Sequence, residues 1–242
     1  MAHFIHREED NDTIGRLTLN DLIKINTAKV NDIVPFGPYD WIVVRTDRRY
    51  IGLLCRQIIS VLPFDWSKVD EYDKYDKNII SFYEATNEVI KDIFNSEELN
   101  LIFDMNENRL PIYETYKENG KKIKTKAFIP SEYVLSIIKK EELKSHYNYD
   151  LNLRYYESLY GESAQYYLAE DSISLNSWWT MGKEGQLSVV DREGQHISHT
   201  KWEDEDVITK YEIRGFRPQI VLNNDYISKK ILSLMQKKGS AC

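Results

Sequence analysis

Apolar positions in this chain fall into strand-like runs near both ends and helix-like spacings between them. From Tyr39 to Arg45 the residues Trp41, Ile42, Val43 and Val44 are apolar on both alternations, the pattern of a strand covered on both faces. Val34-Pro-Phe-Gly-Pro38 leads into it, and Phe36-Gly37 predicts a tight turn. After a short polar break, Tyr50 to Leu62 predicts one long strand, or two bent near Arg56 and Gln57. Asp65 to Asn78 is too rich in Asp, Lys and Tyr for core. Ile79, Ile80, Tyr83, Ile90 and Phe94 then recur at near-helical spacing, and Asn95 with Glu98 three residues on predicts a capped second helix.

The later elements follow the same logic. Lys126 to Pro130 reads as a short strand, and Ser131 as the cap of a helix from Glu132 to Lys140 that buries Val134, Leu135 and Ile138. Residues 141–175 have no clean period, apart from a helix expected within 152–160. Ser177 to Met181 predicts a strand. Gln186–Val190 and Gln195–Ser198 predict a hairpin in which Gly194 takes positive φ. Strands at Val207–Ile213 and Gln219–Leu222 and a helix over Tyr226–Gln236 complete the chain. Both ends being strand-rich, Tyr39–Val44 and Gln219–Leu222 are expected to share one sheet. The expectation is therefore one α+β domain over 16–236, a mixed, mainly antiparallel sheet with flanking helices, between a loose 1–15 and a disordered tail at 237–242.

Charge narrows the partners. The net charge of −7 argues against a general nucleic-acid binder, which needs a basic footprint. One local exception, Lys117, Lys121, Lys122, Lys124 and Lys126 around Asn119-Gly120, reads as a solvated hairpin tip. Seventeen tyrosines and five tryptophans exceed what a core of this size needs. They suit either an extended binding face or the edges of a twisted sheet. Cys55 and Cys242 cannot make a disulfide framework or a metal site. Cys55 is expected to be buried and inert, with Arg56 its one cationic neighbour and on the opposite face. No stretch approaches a membrane span and no signal peptide is apparent, so a reducing, cytoplasmic setting is expected.

Few residues form a catalytic pattern. His196 and His199, three apart on a strand, point to opposite faces, and His3 and His6 have no acidic or cysteine partner at ligand spacing. Gly182-Lys-Glu-Gly185 lacks the glycine spacing of a phosphate loop, and there is no Gly-x-Ser-x-Gly elbow. No cofactor or metal is expected, and no catalytic residue is assigned. The sharpest polar feature is Trp202 followed by Glu203, Asp204, Glu205 and Asp206, which suits a basic protein partner, a calcium ion or a solvated loop. Trp178 and Trp179 are adjacent and take opposite faces of a strand, one filling the core and its neighbour exposed beside the acidic run.

Several of these segments, in this order, resemble a bacterial and phage family of domains of unknown function. The matching phrases are Phe36-Gly-Pro-Tyr-Asp-Trp-Ile-Val43, Gly52-Leu-Leu54, Ile93-Phe-Asn-Ser-Glu-Glu98, Ala127-Phe-Ile-Pro-Ser-Glu132, Ser177-Trp-Trp-Thr180 and Gly215-Phe-Arg-Pro-Gln-Ile-Val221. That family is similar to the C-type-lectin-like fold of formylglycine-generating enzymes and phage variable receptor-binding proteins. The resemblance implies that the two chain ends pair in one sheet and that loops carry the function, in a phage-encoded setting or its host cell. Trp41, Arg217 and Pro218 are expected to be structural, since an arginine before a proline in a buried strand needs local acceptors. Thr180 stands where the family has an arginine, the late cysteine pair of the enzymes is missing, and so is the Glu-Pro-Asn sugar motif. Their activities are therefore not carried over. Three functions remain: a protein-binding module, a glycan or small-ligand binder assisted by calcium, and an enzyme of another type.

Overall fold

The computed structural model describes residues 13–65, 77–103, 117–118, 121–122, 125–144, 177–181, 187–197 and 211–240. The first of these already departs from expectation. Thr13–Ile14 (β1) and Leu17–Thr18 (β2) form a small hairpin, and Leu19–Thr27 (α1) follows as a helix. Its start is a capping box: Thr18 Oγ1 accepts the Asp21 N–H at 3.2 Å while Asp21 Oδ2 accepts the Thr18 N–H at 2.9 Å. Leu22 and Ile25, three apart, give the helix one fully buried stripe.

Two five-stranded sheets form the framework. The first contains Ile33–Phe36 (β3), Tyr39–Thr46 (β4), Tyr50–Cys55 (β5), Ala127–Phe128 (β9) and Gln219–Asn223 (β14), in the order β3-β4-β5-β14-β9, all antiparallel. Tyr39–Val44 and Gln219–Leu222 therefore lie in one sheet, as expected. The turn between β3 and β4 holds Gly37 at φ +60°, and a Cβ there would come within 2.3 Å of Phe94 Cε1, so glycine is required twice over. Pro35 sits on the outermost strand, where a missing N–H costs least.

The second sheet contains Ser60–Asp65 (β6), Trp178–Met181 (β10), Leu187–Val190 (β11), His196–Ile197 (β12) and Tyr211–Phe216 (β13), ordered β12-β11-β10-β13-β6. Only β10 and β13 run parallel. The predicted hairpin with Gly194 at φ +79° is present as β11 and β12. Of the strand expected over Val207–Ile213, residues 207–210 lie outside the described residues, and the described part, β13, extends beyond Ile213 to Phe216. Gly215 sits there because β10 passes so close that a Cβ would meet Ser177 O at 2.9 Å.

Of the two readings of Tyr50–Leu62, one long strand or a bent pair, the pair is present, broken at 56–59, and the bend moves the chain from one sheet to the other. The return path does the same: β13 passes into β14 through Arg217-Pro218. The two paths stay bonded around the bend, with Cys55 N donating to Pro218 O at 2.8 Å and Ile59 N to Phe216 O at 3.0 Å. One antiparallel ribbon thus forms a corner shared by both sheets.

Helices cover the framework. They are Lys77–Ile93 (α2), Ser96–Leu101 (α3), Glu132–Ile137 (α4), Lys140–Leu143 (α5) and Asn224–Ser240 (α6). A large core joins Trp41, Val43 and Leu53 of the first sheet to Trp179 and Leu62 of the second, with Leu22 of α1 and Ile227 of α6. A smaller core lies on the opposite face, where Ile42, Val44 and Leu54 meet Leu135, Leu143 and Trp178. The two-faced apolar pattern of Trp41–Val44 thus feeds two cores. The Asn95–Glu98 capping box is present on α3. Helix α4 differs from expectation: it stops at Ile137, and Ser131 makes no side-chain cap bond. Helix α6 continues through Lys237 and Lys238 to Ser240, where a disordered tail was expected. Lysines in a last turn complement the helix dipole. In the lysine-rich segment Lys117–Glu118 (β7) pairs antiparallel with Lys121–Lys122 (β8), and Asn119-Gly120 lies outside the described residues. Lys126 is not part of its tip, because its Nζ donates to Leu99 O and Ile102 O, each at 3.0 Å. Among the described residues the architecture is α+β, and no helix is long and apolar enough to cross a membrane.

Candidate functional site

The chemistry of the described framework concentrates at the corner. Arg217, fully buried, directs its guanidinium at three backbone carbonyls. Nε donates to Cys55 O at 3.0 Å, Nη2 to Glu142 O at 3.0 Å, and Nη1 to Leu143 O at 3.3 Å. Its Cζ lies 4.6 Å from the centre of the Trp178 ring, a cation–π contact. Burial pushes the guanidinium down to about 10, partly opposed by the charge of Glu142, which leaves it a cation at neutral pH. The acceptors on α5 are the carbonyls of its last two residues, the negative end of a helical turn. Arg217 thus ties three carbonyls of the corner together, and the Pro218 carbonyl accepts the Cys55 N–H beside it.

Trp178 and Trp179 take opposite faces of β10, as their adjacency requires, but neither is exposed. Trp179 fills the large core and its Nε1 donates to Leu62 O at 2.8 Å. Trp178 fills the small core and its Nε1 donates to Leu143 O at 3.3 Å. The expectation of one exposed ring is corrected: α4 and α5 cover the second face. Trp41 is likewise buried, with Nε1 donating to Phe36 O at 2.8 Å. Trp202, Glu203, Asp204, Glu205 and Asp206 lie outside the described residues. They belong to the segment that joins the edge strand β12 to β13, with β11 and β10 lying between those two strands in the second sheet.

Cys55 is fully buried, and burial pushes its thiol up to about 12. One point differs from the sequence expectation: Arg217 also lies against Cys55, because its placement depends on the corner. Burial outweighs that cation, so no thiolate forms near neutral pH. Labelling of Cys55 by a thiol reagent at pH 8 is expected to be negligible in native buffer and complete in denaturant. Rapid native labelling would contradict this burial.

Two further polar clusters were missed by sequence reasoning. Arg16, at the tip of the β1–β2 hairpin, forks onto Glu98: Nε to Oε1 at 3.0 Å and Nη2 to Oε2 at 2.6 Å. Glu98 is fully buried and also accepts the N–H groups of Arg16 and Asn95. The bond to Glu98 raises the Arg16 guanidinium above its ordinary value. The capping box revealed Glu98, but nothing local revealed Arg16, 82 residues earlier in the chain. The second cluster is His196 on β12, with Nδ1 at 3.9 Å from Glu132 Oε1 on α4. His199 lies outside the described residues. Among the described residues, no group of three His, Cys, Asp or Glu side chains is placed to hold a metal.

No family model matches the chain, and neither a curated protein nor a solved structure is significantly similar to it.

Proposed function

We propose that the chain is a non-enzymatic binding module whose contact face is Trp202 with Glu203, Asp204, Glu205 and Asp206, and whose partner is a protein carrying a basic patch. The observation that carries this reading is how the framework uses its own chemistry. Trp41, Trp178, Trp179, Cys55 and Arg217 are all buried, and their polar groups serve the fold. The acidic run sets four successive carboxylates directly beside a tryptophan. Four successive carboxylates repel one another unless a cation or basic partner relieves them. A neighbouring indole supplies apolar area of the kind on which binding energy concentrates. A C-type-lectin-like arrangement belongs to the same proposal. It is supported by early strands and the last strand pairing in one sheet, with the acidic run between two late strands.

The test is affinity capture from a host lysate, with melting temperature measured in parallel. Trp202→Ala, and separately Ser for Glu203 and Glu205 with Asn for Asp204 and Asp206, are expected to abolish capture at unchanged melting temperature. Undiminished capture by both variants would remove this segment as the contact face. Repeating the capture with and without calcium separates a protein contact from a calcium-assisted one.

A further inference from the structure

Beyond that reading, we infer that α5 is a strap across the sheet corner, held shut on its outer side by the Arg56–Glu142 ion pair and able to lift while both sheets stay folded. Helix α5 is a single turn of four residues, too short to be stable alone. It is flanked by extended backbone at Lys139 and Lys144, and neither α4 nor α5 has a side-chain cap bond. Its attachments converge on its last two residues. On the inner side Arg217 and Trp178 hold the carbonyls of Glu142 and Leu143, and the Leu143 side chain plugs the small core. On the outer side the Arg56 fork grips the Glu142 carboxylate, Nε to Oε2 at 2.7 Å and Nη2 to Oε1 at 3.1 Å. Arg56 belongs to the bend itself, so this pair ties the strap straight to the corner.

The inner and outer ties respond differently to solvent. Water can replace the two carbonyls at Arg217 when the strap lifts, so little beyond the burial of Leu143 and of one Trp178 face opposes lifting from inside. The outer pair is 43% and 23% exposed, is bidentate, and weakens as salt rises. On its far side the strap meets Gly194, where a Cβ would lie 3.1 Å from Leu143 Cβ, so the β11–β12 turn packs directly against the end of the strap. A short element with few buried contacts and one partly exposed charge pair opens more readily than the sheets beneath it. Lifting uncovers the Trp178 ring and two of the Arg217 donors.

Amide hydrogen exchange on the full chain tests this. The reporter is the Glu142 amide, which donates to Lys139 O at 2.9 Å; the references are Val43 and Cys55 in the first sheet. In Glu142→Gln and in Arg56→Gln the reporter is expected to exchange about fivefold faster, with the references unchanged. Raising salt from about 0.05 M to about 1 M should accelerate it in the wild type and not in either variant. Exchange of Glu142 in step with Val43 and Cys55 would overturn the strap, as would variants no faster than wild type.

Discussion

Arg217→Ala is expected to lower the unfolding free energy by about 4 kcal/mol. The carbonyls of Cys55 and Glu142 lose this donor together inside the corner, Leu143 O keeps only Trp178 Nε1, and each orphaned acceptor costs about 1 kcal/mol or more. The rest comes from the void left beside Trp178. For a chain of this length that corresponds to a fall of about 12 °C in melting temperature. Arg217→Lys keeps a charge but reaches the three carbonyls with a single compact ammonium, so it should recover only part of the loss. Urea unfolding of the three proteins measures this, and a loss below about 1 kcal/mol for the alanine variant would mean that the corner does not depend on the guanidinium.

The second large effect is expected at the Arg16–Glu98 contact. Glu98→Ala should cost about 3 kcal/mol, because Glu98 is buried while its partners remain. The change frees the Arg16 fork and the backbone N–H groups of Arg16 and Asn95, and removes one half of the α3 capping box. The value stays at the low end for a broken buried pair because Arg16 is 44% exposed and recovers water. Glu98→Gln keeps an acceptor for the backbone groups and should cost roughly half as much. Equal losses for the two variants in denaturant unfolding would show that charge, rather than hydrogen-bond acceptance, carries the contact.

Local chemistry made several elements readable. Trp41–Val44 announced a strand with two covered faces, Asn95 and Glu98 a capped helix, and Gly194 a hairpin with positive φ, and each is present. Helix α1 was equally local, since Thr18 and Asp21 stand three apart, but only Leu22 and Ile25 mark its buried side and so short a stripe is easily passed over. The exchange of two strand paths between sheets was not readable, because periodicity reports a strand and its faces without reporting its neighbours. Nor was the burial of both Trp178 and Trp179. Alternation places them on opposite faces, whereas the cover on the second face is α4 and α5, brought there by tertiary packing. The acceptors of Arg217 left no trace in the sequence for a similar reason: they are backbone carbonyls, which every residue has.

In the proposed binding mode the buried tryptophans hold the fold while Trp202 meets the partner. The five indole N–H groups give separate nitrogen–proton correlations, assignable by single Trp→Phe changes. Adding a captured partner is expected to shift or broaden the Trp202 correlation and to leave Trp41, Trp178 and Trp179 in place. A partner that moves Trp178 or Trp179 and leaves Trp202 unmoved would contradict the account.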